Sequence, residues 1–185
     1  YDEAWRLQSI SDNTGTMVIW NEYDEENRVI LQRLPNDTTM SYAYEGDKIT
    51  VTDRNGAVTT YRHNEYGQIT DIIRSDGTRS FVYDENRQRT GVILPDGAEF
   101  RKEYDEEGNP VGLIDPLKNR IEIRYAGSGL PSQITEKDGG INRMEYDEYR
   151  NVIFFEDAAG EATHFEYERG LLARIVYPDH SEITF

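Results

Sequence analysis

The residues able to do chemistry in this chain are three histidines, His63, His164 and His180, 36 acidic side chains and a recurring tyrosine–aspartate pair. The histidines share no His-x-x-x-His spacing, and no carboxylate is placed to orient one of them as a ligand or base. Cysteine is absent, which removes thiol chemistry and any disulfide framework. No Gly-x-Ser-x-Gly elbow and no phosphate loop occur, so nucleophilic and phosphoryl chemistry lack their usual apparatus. Acidic turns such as Asp24-Glu25-Glu26-Asn27 and Asp105-Glu106-Glu107-Gly108-Asn109 invite calcium. They lack the alternating ligands closed by a glutamate twelve positions on, and the glycine-rich nonapeptide is missing too. With so many acids, chance carboxylate pairs carry no weight for glycoside hydrolysis. No catalytic, cofactor-binding or metal-ligating residue is assigned, and the chain is expected not to be an enzyme.

The Tyr-Asp pairs recur too regularly to be a site. Units open at Tyr1, Tyr23, Tyr44, His63, Tyr83, Tyr104, Tyr125, Tyr146 and Tyr167, at intervals of 19 to 22 residues. A site occurs once, whereas scaffolding occurs in every repeat. Tyrosine suits a sheet face with its hydroxyl bonded at the edge, and aspartate suits the turn that follows. The formal charge of -16 disfavours a phosphate backbone as partner and is explained by solubility. Thirteen Tyr, six Phe and two Trp are too many aromatics for a disordered chain. No apolar run reaches membrane-spanning length.

Elements follow from the spacing within each unit. Ile121/Ile123/Tyr125, Met144/Tyr146 and Phe165/Tyr167 place large groups two apart, with Glu122, Arg124, Glu145 and Glu166 between them. That alternation predicts a strand ending at the opening tyrosine. The first half of each unit is less regular. Leu7/Ile10, Ile69/Ile72, Val152/Phe155 and Leu172/Ile175 lie three apart. Segments this short and β-branched do not make stable helices, and a bulged strand absorbs the odd spacing. Mid-unit clusters such as Pro95-Asp96-Gly97 and Asp157-Ala158-Ala159-Gly160 read as turns. Each unit is thus a β-hairpin, and the array holds roughly 17 or 18 strands. Pro110 and Pro131 are expected at a strand's first residue or at a bulge.

Taken together, Tyr-Asp-x-x-Gly-Asn/Arg, a short apolar strand, Asp-Gly or Asp-x-x-Gly, then Tyr-x-Tyr resembles the YD repeat of the Rhs (rearrangement hotspot) family. The same repeat marks wall-associated bacterial proteins, toxin-complex subunits and teneurins. The resemblance runs from Tyr1-Asp2 through Tyr104-Asp105 and Tyr146-Asp147 to Pro178-Asp179. Tyr44-Glu45, His63-Asn64, Tyr125-Ala126 and Tyr167-Glu168 lack the aspartate, and looser turns are expected there.

The resemblance implies an all-β array of hairpins in one twisted, spiralling antiparallel sheet, over residues 1–185 as a single domain. It further implies a segment of a shell that encloses a C-terminal effector of the same polypeptide, in a secreted or delivered protein. The self-cleaving core motif of such relatives has no counterpart, for Asp115-Pro116-Leu117 sits in an ordinary mid-repeat turn. The alternative is an adhesion or carbohydrate-binding module using the aromatic positions on a cell-surface glycan or protein, which requires solvent-accessible Tyr83, Tyr104 and Tyr125. The chain reads as a piece of a longer polypeptide, so flanking repeats are its expected partners. Its open outer strands are expected to self-associate.

Overall fold

A computed structural model describes residues 1–127 and 129–185. Among the described residues there are eighteen β-strands and one three-residue 3-10 turn, Pro35–Asp37. The chain divides into two compact units, one of residues Tyr1–Val82 with Val92–Ala98, the other of Tyr83–Gly91 with Glu99–Phe185. The first holds β1 (Ser9–Ser11), β2 (Met17–Tyr23), β3 (Val29–Arg33), β4 (Thr39–Glu45), β5 (Lys48–Thr52), β6 (Val58–His63), β7 (Ile69–Arg74) and nearly all of β8 (Gly77–Tyr83). β9 (Arg89–Ile93) is divided between the two. The second unit holds β10 (Glu99–Tyr104), β11 (Pro110–Ile114), β12 (Arg120–Ala126), β13 (Leu130–Thr135), β14 (Ile141–Tyr146), β15 (Val152–Glu156), β16 (Ala162–Glu168), β17 (Leu171–Val176) and β18 (Glu182–Thr184). Within each unit every strand pairs antiparallel with the next in the chain. The all-β hairpin array expected from the sequence is the observed fold.

The three-residue spacings at Ile69/Ile72, Val152/Phe155 and Leu172/Ile175 are bulges, whereas Leu7 precedes β1 and makes none with Ile10. At Tyr23, His63, Tyr104, Tyr125, Tyr146 and Tyr167 the register shifts by one, and the returning strand carries an extra residue: Ile30, Thr70, Val111, Ser132, Ile153 and Ala173 respectively. Two residues then oppose one, which puts Val152 and Phe155 on the same face. Both prolines sit where a missing N–H is tolerated. Pro110 opens β11 opposite Tyr104, and Pro131 faces Tyr125 at the bulge.

The turns correct one expectation. Where the aspartate is absent the hairpin usually closes sooner rather than more loosely: Glu45 pairs Lys48, Ala126 pairs Leu130 and Glu168 pairs Leu171. Without the carboxylate that caps a wider loop, the ladder runs on to a two- or three-residue turn. Asn64 keeps the wide form because its side-chain oxygen accepts from the Tyr66 and Gln68 N–H groups, at 3.1 and 3.0 Å.

Cross-strand pairs share a face, and in the second unit the two faces differ sharply. One carries Leu113, Ile121, Ile123, Ile134, Met144, Phe155, Phe165 and Ile175, interrupted by Asn142 and Thr163 and with Lys102 at its β10 end. The other carries Arg120 between Glu103 (2.7 Å) and Glu122 (2.9 Å), Arg143 with Glu156, and Arg174 between Glu166 (3.1 Å) and Glu182. Such exposed pairs contribute about 0–1 kcal/mol each. No large apolar side chain is fully buried among the described residues. A single sheet layer has no second layer to close over it.

Gly77 is the tightest backbone position. Its φ is +130°, and a Cβ there would lie 2.6 Å from the Cβ of Pro95. At Gly97, φ +84°, an added Cβ meets nothing. Gly77→Ala is expected to cost about 1–3 kcal/mol more than Gly97→Ala, read from urea denaturation midpoints.

Candidate functional site

The recurring feature with definite geometry is the junction at each unit opener. At Asp105 the chain makes a five-residue loop: the Asp105 N–H donates to the Asn109 carbonyl (3.0 Å) and the Gly108 N–H donates to the Asp105 carbonyl (3.1 Å). The Asp105 carboxylate accepts from the Asn109 N–H (2.7 Å) and side-chain amide (3.0 Å). Asp147 repeats this with Asn151 at 2.8 and 2.9 Å, and the mid-unit Asp115 with Asn119 at 2.9 and 2.6 Å. Earlier in the chain arginine takes the asparagine's place. Arg6 and Arg28 pair with Asp2 and Asp24 at 2.7 Å and lie over the Tyr23 and Tyr44 rings at 4.6 and 4.4 Å.

The tyrosine hydroxyl joins this junction to the preceding one. Tyr44, Tyr104, Tyr125 and Tyr146 donate to the carbonyls of Val29 (2.9 Å), Arg89 (3.1 Å), Pro110 (2.8 Å) and Pro131 (2.8 Å), each 15 residues upstream. Tyr23 reaches Leu7 at 2.6 Å, 16 residues back. Val29, Pro110 and Pro131 lie at or next to the start of the strand that follows an earlier turn, each just ahead of its extra residue. Burial pushes the Tyr125 and Tyr44 hydroxyls above the ordinary tyrosine range. From Tyr23 to Tyr167 the openers are half-buried, while Tyr1 is exposed. Tyr104 and Tyr125 are half-buried and spend their hydroxyls on main chain, which does not favour them as a glycan platform.

The residues weighed for chemistry lie apart. His63 is part-buried with Nδ1 3.3 Å from the Asn64 carbonyl, His164 stacks against Phe154 with ring centroids 5.1 Å apart, and His180 sits at a turn. Among the described residues, no three of the His, Asp and Glu side chains cluster to hold a metal ion. A groove beside the Asp105 loop brings Glu107, Glu122, Arg120 and Arg124 near Tyr125. Its charges belong to the turns and ion pairs already described. Asp115-Pro116 lies in the β11–β12 turn, as expected.

Two elements escaped the sequence reading. The carbonyl acceptors are backbone groups that every residue has, so only their offset of 15 or 16 residues from five of the openers reveals them. Asn21, 6% exposed, is the most buried polar residue; it donates to the Leu7 carbonyl (2.9 Å) and accepts from Gln32 (3.0 Å). An asparagine two before an opener, where the later units have Tyr, Phe, Ile or Met and one has Lys102, was the available signal.

Removing a hydroxyl tests the junction. Tyr125→Phe and Tyr146→Phe are each expected to cost about 1 kcal/mol, while Tyr149→Phe, 75% exposed, leaves the urea midpoint unchanged. The carboxylates supply a second test. The Asn109, Asn119 and Asn151 side-chain amides, with backbone N–H groups, hold Asp105, Asp115 and Asp147 below the usual range. Their contribution is complete at neutral pH and is lost as pH falls from about 4 through the depressed folded values. Asp105→Asn with Asp147→Asn keeps the loop, as Asn64 does, and is expected to flatten the stability loss between pH 5 and 3.

Comparison with known proteins adds the following. The family model Teneurin YD-shell matches residues 1–128. The tRNA nuclease WapA of Bacillus subtilis is 25% identical over 140 residues, covering 74% of this chain and 5% of WapA. The probable deoxyribonuclease RhsB of Dickeya dadantii is 23% identical over 216 aligned positions, covering 91% of this chain and 15% of RhsB. The chain therefore spans a small part of the length of these relatives. Among solved structures, the Tc holotoxin pore of Photorhabdus luminescens shares the fold at a TM-score of 0.54 and 13% identity, covering 88% of this chain and 12% of that one.

Proposed function

The chain belongs to the Teneurin YD-shell family, and from that membership we propose that its sheet encloses an effector segment carried by the same polypeptide. The observation that carries this reading is the hydroxyl-to-carbonyl tie between successive junctions. It is built into the scaffold at unit after unit and converges on no single point, which suits a wall and not a catalytic pocket. We read residues 1–185 as one array with no enzymatic role. The nuclease activities named for WapA and RhsB then belong to parts of those chains outside the matched stretch. The partners are the flanking repeats and the C-terminal effector, and the whole polypeptide is secreted or delivered. The acidic balance keeps the wall soluble.

The test uses the full-length polypeptide with its own downstream effector. Limited proteolysis is expected to digest the effector at least about tenfold more slowly in the intact polypeptide than when it is expressed alone. Equal rates of digestion would sink the enclosure reading.

A further inference from the structure

We propose that Met144 is a site of reversible oxidation by peroxides, and that its sulfoxide draws the Tyr146 hydroxyl away from the Pro131 carbonyl. The hydroxyl stands 2.8 Å from that carbonyl oxygen and 3.7 Å from the Met144 sulfur. It has one proton for two acceptors, and a thioether is the weaker of them, so the proton goes to Pro131. This tie spans the margin where the β13–β14 ladder stops, at Gln133–Arg143, beside the extra residue Ser132. Two before the other tyrosine openers from Tyr44 onward stand Tyr42, Phe81, Lys102, Ile123 and Phe165. Sulfur takes that position at one junction, so the response is confined to it.

Access and chemistry both favour the reaction. Met144 is half-buried, and among the described residues the regular elements of its unit are all strands of the sheet, so no second layer of that unit lies over it. The sulfur lone pair attacks one peroxide oxygen and forms the S–O bond as the O–O bond breaks. The proton on the transferred oxygen passes to the departing one, which leaves as water. Sulfur gives up two electrons and the peroxide takes them. A polar sulfoxide oxygen then stands where a weak acceptor stood, and the flexible methionine side chain brings it against the hydroxyl. Met144 also faces Phe155 across the ladder, where a polar group is the poorer neighbour. In an array whose units contact mainly their neighbours, one margin loosens and the rest keep their ties. Sulfoxide reductases reverse the step.

The test treats the chain with hydrogen peroxide. In the wild-type chain Met144 is expected to oxidise less than about tenfold more slowly than Met17, which is 38% exposed. Met17→Leu with Met40→Leu, exchanges that cores tolerate, leaves Met144 as the single methionine. In that chain, oxidation is expected to move the Pro131 carbonyl carbon resonance upfield, to the position it takes when Tyr146→Phe removes the donor. Treatment with the two sulfoxide reductases is expected to return it. The Pro110 carbonyl, tied to Tyr125, is expected to stay in place, and oxidation of the Tyr146→Phe variant to leave Pro131 unmoved. A Pro131 resonance that ignores oxidised Met144 overturns the proposal. So does an equal shift at Pro110, or a Met144 still unoxidised once Met17 is fully converted. If Tyr146→Phe fails to fold, the oxidised and re-reduced chains decide between them: a reversible shift at Pro131 alone supports the proposal, and its absence overturns it.

Discussion

A bulge ends a ladder early, and the structure depends on how that loss is made good. At Tyr104 the returning strand swings out by one residue, Val111, and Pro110 is left at the margin with no N–H and a carbonyl turned from the regular pattern. The pairing of β11 with β12 resumes only at Gly112–Glu122. The Tyr125 hydroxyl reaches across that margin and takes the Pro110 carbonyl. One phenol thus supplies the hydrogen bond that the strands fail to make. The unit after Tyr44 gives the internal contrast. Its turn has no bulge, β5 pairs β6 as far as Lys48–Arg62, and the His63 N–H goes on to donate to the Asp47 carbonyl. Where the ladder is complete, the opener is a histidine. Where a bulge follows Val29, Pro110 or Pro131, the next opener is a tyrosine bonded to that carbonyl.

This coupling explains how stability is distributed. The fold has no buried apolar centre among the described residues, so it cannot depend on one packed nucleus. Hairpins are held by their neighbours through ladder bonds, at many junctions by a hydroxyl tie or a carboxylate-capped loop, and in the second unit by rows of half-buried apolar side chains. Arrays of this kind sum modest nearest-neighbour terms. The exposed ion pairs are small terms among them, and they order the charged face more than they stabilise it.

Much of this was legible in the residues, for reasons particular to each. Alternation at Ile121, Ile123 and Tyr125 and the three-residue step from Val152 to Phe155 fixed strand and bulge, because side-chain direction leaves its mark on composition. The prolines pointed to the same margins. The hydroxyl acceptors left no mark, being main-chain atoms with no residue identity. Turn width at Tyr125-Ala126 and Tyr167-Glu168 was misread because loss of the capping aspartate was taken as loss of order. In fact the strands there extend into the space the loop gives up. The mostly apolar strip on one face of the second unit emerged only when register assigned each residue a side.

The 15-residue reach shared by Tyr44, Tyr104, Tyr125 and Tyr146 has a consequence for how such a chain can change length. Duplicating or deleting one whole period carries every donor and its acceptor along together, leaving the remaining hairpins with the same neighbours. A gain or loss of a single residue inside a strand instead reverses the facing of all that follows up to the next turn. Growth by the module is therefore structurally cheap, growth by the residue is not, and the gene encoding such a sheet can lengthen it by recombination between its own internal copies.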